Sequence, residues 1–216
     1  MKKMLNWLLD LFYPPRCAFC RRLLGEKEKG VCRFCRRKYE NRCIRRELAH
    51  CSCCVAPLSY EGAVRDSLLR YKFRGVAAYG AVYADFLAKC IDESQFSCDI
   101  ITWVPLSRRR LRKRGYDQAR ILAEETAKLL NLPCEKLLEK RVDTKPQSGM
   151  RDAESRRKNA KGIYVCCAPS KTSGRRVLLI DDIVTTGATL SECAAALKQA
   201  GCGAVVAAAA ASRQQA

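Results

Sequence analysis

The chain has 216 residues, 48% of them apolar, and a formal net charge of +19, a length that allows one α/β core with a small appendage and excludes two full-sized domains or a disordered polymer. The charge suits polyanionic partners (nucleic acid, phosphorylated metabolites or an anionic membrane surface), although a solvated basic exterior accounts for it equally well. Fifteen cysteines without a secretory signal argue against a disulfide scaffold and for reduced thiols, a bound metal and the cytoplasm.

Met1 to Tyr13 holds Leu5, Trp7, Leu8, Leu9, Leu11 and Phe12, is interrupted by Asn6 and Asp10, and stops at Pro14-Pro15. It is too short to span a bilayer. A helix packed on the rest of the protein is expected, with peripheral attachment at the inner face of a membrane as the alternative. Cys17-x2-Cys20 and Cys32-x2-Cys35 follow, a spacing with which two turns present four thiolates tetrahedrally to one Zn2+. Cys43, Cys51, Cys53 and Cys54, beside His50, lack that spacing; we read them as a decayed site rather than an irregular second zinc site or free thiols, and His50 as a surface residue.

Near residue 57 the composition changes, dividing a cysteine- and arginine-rich segment, 1–57, from an α/β domain, 58–216. Helical spacing runs from Gly62 to Phe73 and from Val76 to Ile91. Ile100 to Val104 reads as a strand stopped by Pro105, and Asp117 to Leu130 as a helix with Pro133 beyond its end. Residues 141 to 162, polar and punctuated by Pro146 and Gly149, read as a long mobile loop of the functional kind. Val177 to Ile180 is a buried strand, Thr189 to Ala200 a helix closed by Gly201, and Ala204 to Ala210 a final strand. Strands alternating with helices predict a parallel sheet.

The run Val177-Leu178-Leu179-Ile180-Asp181-Asp182-Ile183-Val184-Thr185-Thr186-Gly187-Ala188-Thr189-Leu190 carries the chemistry. An apolar strand delivers two acids, then a hydroxyl-rich turn, then a helix. In an open α/β sheet ligands collect at the carboxyl ends of strands. Successive N–H groups and hydroxyls from Thr185 to Thr189 suit a phosphate, with Gly187 admitting close approach. Asp181 and Asp182 suit a sugar diol or a magnesium shell. A structural strand with an acidic cap is the competing reading of an isolated Asp-Asp pair.

This string resembles the signature by which type I phosphoribosyltransferases bind 5-phosphoribosyl 1-pyrophosphate (PRPP). The resemblance implies that Asp181 and Asp182 contact the ribose hydroxyls, directly or through Mg2+, and that Thr185, Thr186, Gly187, Ala188 and Thr189 hold the 5′-phosphate. Hypoxanthine-guanine salvage enzymes have an acid where this chain has Thr185, which argues against that role. Tyr71-Lys72-Phe73-Arg74-Gly75, Val104-Pro105-Leu106, the arginine run to Arg114-Gly115-Tyr116-Asp117-Gln118-Ala119, and Thr144-Lys145-Pro146-Gln147, with Arg156 and Asn159 beyond, resemble the ComF family of competence-associated proteins. The implied fold is a Rossmann-like parallel sheet flanked by helices, with a small N-terminal zinc module held by four cysteines. The implied pyrophosphate loop starts at Leu106, Ser107, Arg108 and Arg109 and ends at Arg110, and Lys145 lies on a lid reaching Lys158. Arg108 to Arg114 also has a plainer reading, a solvated basic loop.

Three functions follow: phosphoribosyl transfer from PRPP to an unread acceptor, single-stranded-DNA binding with the DNA-uptake machinery as partner, and PRPP sensing without turnover. Phe19, Phe34 and Tyr39 are the aromatic candidates for stacking bases in the cysteine module, unless they fill its small core.

Overall fold

The computed structural model describes residues 14–73, 76–141 and 162–213. The expected N-terminal helix, Lys145 and most of the expected lid, and Arg74-Gly75 lie outside the described residues. In chain order the elements are α1 (Arg33–Tyr39), β1 (Ile44–Arg46), β2 (Cys53–Ala56), β3 (Leu58–Ser59), α2 (Gly62–Phe73), α3 (Tyr79–Glu93), β4 (Ile100–Trp103), α4 (Arg108–Arg114), α5 (Gln118–Leu130), β5 (Leu138–Lys140), β6 (Tyr164–Cys166), α6 (Pro169–Thr172), β7 (Arg176–Val184), α7 (Ala188–Gln199) and β8 (Ala204–Ser212).

The main sheet runs β1-β2-β8-β7-β4, with β3 also pairing β8. Every pairing in it is parallel except β1 with β2. Helices cover both faces of this sheet, so its inner strands need apolar side chains on each side and read as continuous runs rather than alternating ones. Leu178 and Ile180 face a core built with α2, α3 and α5, whereas Val177 and Leu179 face one built with α7 and the β5-β6 pair. β8 meets the same demand with small residues, Ala207 to Ala211 all being buried.

The helix ends follow local chemistry. Asp117 caps α5 by accepting from the Arg120 N–H, and Asn131 closes it in the left-handed conformation. Two expectations change. Arg108 to Arg114 is not a loop but a helix, because Ser107 accepts from the Arg110 N–H and Gly115 supplies the left-handed stop. β7 continues past Ile180 to Val184, so both acids lie on the strand itself rather than beyond it.

The expected boundary near residue 57 falls between β2 and β3, both of which pair with β8. The cysteine module itself packs on α3. Phe19 meets Tyr39, Tyr83 and Phe86 edge-on, and ion pairs join Arg36 to Asp85 at 2.6 Å and Glu40 to Lys89 at 2.8 Å. Among the described residues no helix is long and apolar enough to cross a membrane.

Candidate functional site

The carboxyl ends of β3, β4 and β7 open into one cleft of about 450 Å³. Asp181, Asp182, Thr185 and Thr189 line one side, and Pro105, Leu106, Ser107, Arg110 and Arg114 line another. Parallel strands bring these segments together because their ends align, which is the topological reason ligands bind there. Thr186, Gly187 and Ala188 form the turn between the lining threonines. Arg108 and Arg109 are exposed and do not line the cleft. Residues one turn apart share a helix face, so Arg110 and Arg114 point into the cleft while their neighbours do not.

Burial first, and the adjacent Asp182 second, push the Asp181 carboxyl well above the usual carboxylate range. The Asp182 N–H donates to Asp181 Oδ1 at 2.8 Å. Asp182 in turn pairs with Lys72 Nζ at 2.9 Å, a contact reaching from the end of α2 to the end of β7. Asp117 ties the opposite wall down, Oδ2 accepting from the Leu106 N–H at 3.1 Å while Oδ1 caps α5. Its carboxyl is also raised, by burial above all.

Gly187 is needed twice over. Its φ is +82°, and a Cβ there would lie 2.1 Å from Leu48 Cδ2. The turn is fixed from behind as well, since Arg46 donates to the Thr185 carbonyl. Sequence reading missed Lys72 and Arg114 as site residues, and reached Arg110 only as the end of the implied pyrophosphate loop. Lys72 was visible only as part of a family-like string, and the arginines only as a run without a face.

The second site is a metal centre. The Sγ atoms of Cys17, Cys20, Cys32 and Cys35 all lie within 4.8 Å of one another, and those of Cys20 and Cys32 are 3.7 Å apart. A tetrahedron with Zn–S bonds of about 2.3 Å has edges of about 3.8 Å, so the four sulfurs fit a structural Zn2+. The Cys32 N–H points at Cys17 Sγ and the Cys35 N–H at Cys32 Sγ, each at 3.4 Å. Burial pushes the Cys32 thiol up, but the Cys35 N–H and the Arg22 guanidinium outweigh it, leaving it lowered to about 6.

Cys43, Cys51, Cys53 and Cys54 do not converge. Cys53 and Cys54 are consecutive on β2 and therefore face opposite sides of the sheet. Cys43 and Cys53 join the α3 side, Cys51 and Cys54 the α7 side. Cys43 instead meets Cys90, Sγ to Sγ, at 2.7 Å. Among the described residues the first four cysteines are the one metal-ready group.

A mostly parallel sheet whose β7 delivers paired acids and a Thr-Thr-Gly turn, beside a capped basic helix after β4, defines a type I phosphoribosyltransferase fold. Residues 117–216 match the phosphoribosyl transferase domain family, and residues 8–68 match the double zinc ribbon domain. In this pair of domains, and in the competence proteins it matches, the chain resembles the ComF family. It is 27% identical to Competence protein F of Haemophilus influenzae over 215 residues, covering 88% of this chain and 93% of that protein. It is 30% identical to Competence protein ComFC of Bacillus subtilis over 150 residues, 66% of this chain but only 57% of that protein. Among solved structures, the B. subtilis glutamine PRPP amidotransferase complexed with ADP and GMP aligns over 65% of this chain and 30% of its own, at 20% identity and TM-score 0.46.

Proposed function

We propose that the chain binds magnesium-PRPP in the β4-β7 cleft and transfers the phosphoribosyl group to an acceptor, in the service of DNA uptake. The observation that carries this reading is the pair Asp181-Asp182 set above the Thr185–Thr189 turn and facing Arg110 and Arg114 across the cleft. The turn and the N-terminus of α7 receive the 5′-phosphate. Asp181 and Asp182 take the ribose hydroxyls. Arg110 and Arg114 supply directed N–H donors to the pyrophosphate. Magnesium, when bound, offsets the charge of the departing pyrophosphate. An acceptor lone pair attacks the anomeric carbon, the bond from that carbon to the pyrophosphate oxygen breaks, and pyrophosphate leaves. Lys145, which the family resemblance assigns to the leaving group, lies outside the described residues.

The test is incubation with Mg2+, PRPP and a panel of bases, amines and single-stranded DNA, with pyrophosphate release as the readout. Release that requires one acceptor class is expected. Tight PRPP binding with no release across the panel would favour the sensor instead.

One observation favours a second activity, single-stranded-DNA binding at the zinc module. Phe34 is 68% exposed between Arg33 and Arg37, whereas Phe19 is 2% exposed and Tyr39 packs on it. Of the three aromatics only Phe34 is free to stack a base. The names of the competence relatives point the same way. Arg36 is committed to Asp85 and to the Phe86 ring, so Phe34→Ala with Arg37→Ala is the informative variant. It is expected to weaken single-strand affinity and leave PRPP affinity unchanged. Wild-type affinity should fall with salt, each phosphate contact adding about −0.7 to the logarithmic slope. A flat salt response or an unaffected variant would remove the zinc module from DNA binding.

A further inference from the structure

We infer that Lys72 is the positioning residue for the Asp182 carboxylate, and that the zinc-bearing side of the molecule contributes to the PRPP site through it. This inference rests on the PRPP reading above. Lys72 stands on the last turn of α2, far in sequence from β7, yet its Nζ lies 2.9 Å from Asp182 Oδ1 with side-chain exposures of 18% and 12%. Surface ion pairs between long side chains contribute little because both partners are solvated and mobile. This one is largely withdrawn from water, and its lysine is carried on an immobilised backbone.

Three elements immobilise that backbone. The Tyr71 hydroxyl donates to the Gln118 carbonyl at 2.8 Å, and Gln118 Nε2 returns a bond to the Lys72 carbonyl at 3.3 Å. The Tyr116 hydroxyl donates to the Tyr71 carbonyl. One residue earlier, Arg70 Nη2 donates to the Ala18 carbonyl at 2.7 Å, inside the loop between the first two zinc-ligating cysteines. The last turn of α2 is thus pinned to the start of α5 on one side and to the zinc knuckle on the other. What it presents to the cleft is the Lys72 ammonium.

The acids need such a cation. Asp181, Asp182 and Asp117 lie close enough to repel one another, and the proposed ligand is itself a polyanion. Lys72 offsets one carboxylate and fixes its position at the edge of the cleft where the ribose diol or its metal shell would bind. Removing one member of a shielded pair leaves the other uncompensated, so truncation should cost more than the pair is worth.

The experiment is calorimetric titration of PRPP with Mg2+ into the full-length zinc-loaded protein and its Lys72→Met, Lys72→Gln and Lys72→Arg variants, with the thermal midpoint and zinc content measured alongside. Loss of the ammonium in Met or Gln is expected to weaken PRPP binding at least about tenfold, with Arg retaining affinity within about threefold of wild type. Rescue by the conservative variant distinguishes positioning from packing, because Gln and Met fill the space without the charge. Unchanged or tighter binding in both neutral variants would overturn the inference, the latter by showing that Lys72 blocks Asp182 rather than presenting it. Equal weakening in all three variants would overturn it as well. Failure of the wild-type protein to bind PRPP would instead sink the reading of the cleft, and the inference with it.

Discussion

Asp181→Ala combined with Asp182→Ala is expected to abolish magnesium-dependent PRPP binding, a loss of at least about 100-fold or about 2.8 kcal/mol. Both carboxylates line the cleft near the end of β7, and neither has a substitute among the cleft's lining residues, which are otherwise neutral or basic. Calorimetry measures the effect directly, and a double variant that binds as tightly as wild type would mean that the acids are structural. Gly187→Val should also weaken binding. The valine must adopt a left-handed φ costing about 1–2 kcal/mol and displace Leu48 besides. A pH dependence accompanies these effects. Because burial and Asp182 hold the Asp181 carboxyl above its usual range, a ligand that engages the carboxylate must displace a proton. Affinity should therefore rise with pH above the ordinary carboxylate range, and Asp181→Asn should flatten that rise. An identical pH profile in the variant would assign the titration to PRPP alone.

Cys32→Ser is expected to leave the protein with far less than one zinc per chain and an unfolded knuckle, against about one equivalent in the wild type. Cys32 is fully buried and receives the Cys35 N–H, so it serves as ligand and as part of the turn. In small structural sites metal binding is folding free energy, of order 10 kcal/mol for isolated zinc-finger peptides at neutral pH. Here the cost is shared with the packing of Phe19 on Tyr83 and Phe86. Elemental analysis gives the stoichiometry, and hydrogen exchange over residues 14–40 reports the knuckle's order. A metal-free module with full protection would contradict the assignment. Zinc well above one equivalent would bring Cys43, Cys51, Cys53 and Cys54 back as ligands, despite their separation across the sheet.

The elements legible in the sequence are those whose cause is local. The paired Cys-x2-Cys turns are defined by spacing, and α2, α5 and α7 by the 3.6-residue recurrence of apolar side chains together with caps such as Asp117. The run from Val177 to Leu190 is likewise contiguous, so its order of strand, acids, turn and helix survives folding intact. α4 escaped because a run of arginines has no apolar period, and only Ser107 and Gly115 mark its ends. β1, β2, β3, β5 and β6 escaped because they are two to four residues long and lack the run of β-branched and aromatic residues, stopped by a proline, that marks β4.

Tertiary structure decided what depends on residues distant in the chain. The pairing of β2 with β8 sets Cys53 and Cys54 on opposite sides of a sheet, dividing a cysteine cluster that looks continuous in sequence. The face that α4 turns to the cleft selects Arg110 and Arg114 over Arg108 and Arg109. The docking of the zinc knuckle on α3 buries Phe19 and leaves Phe34 in water. Lys72 meets Asp182 only because α2 and β7 converge at one end of the sheet. Local spacing names the residue types available for chemistry, since turns and caps form from neighbours. Strand register and helix packing settle which of those residues face one another, because a side chain's direction is fixed only once its element has a partner.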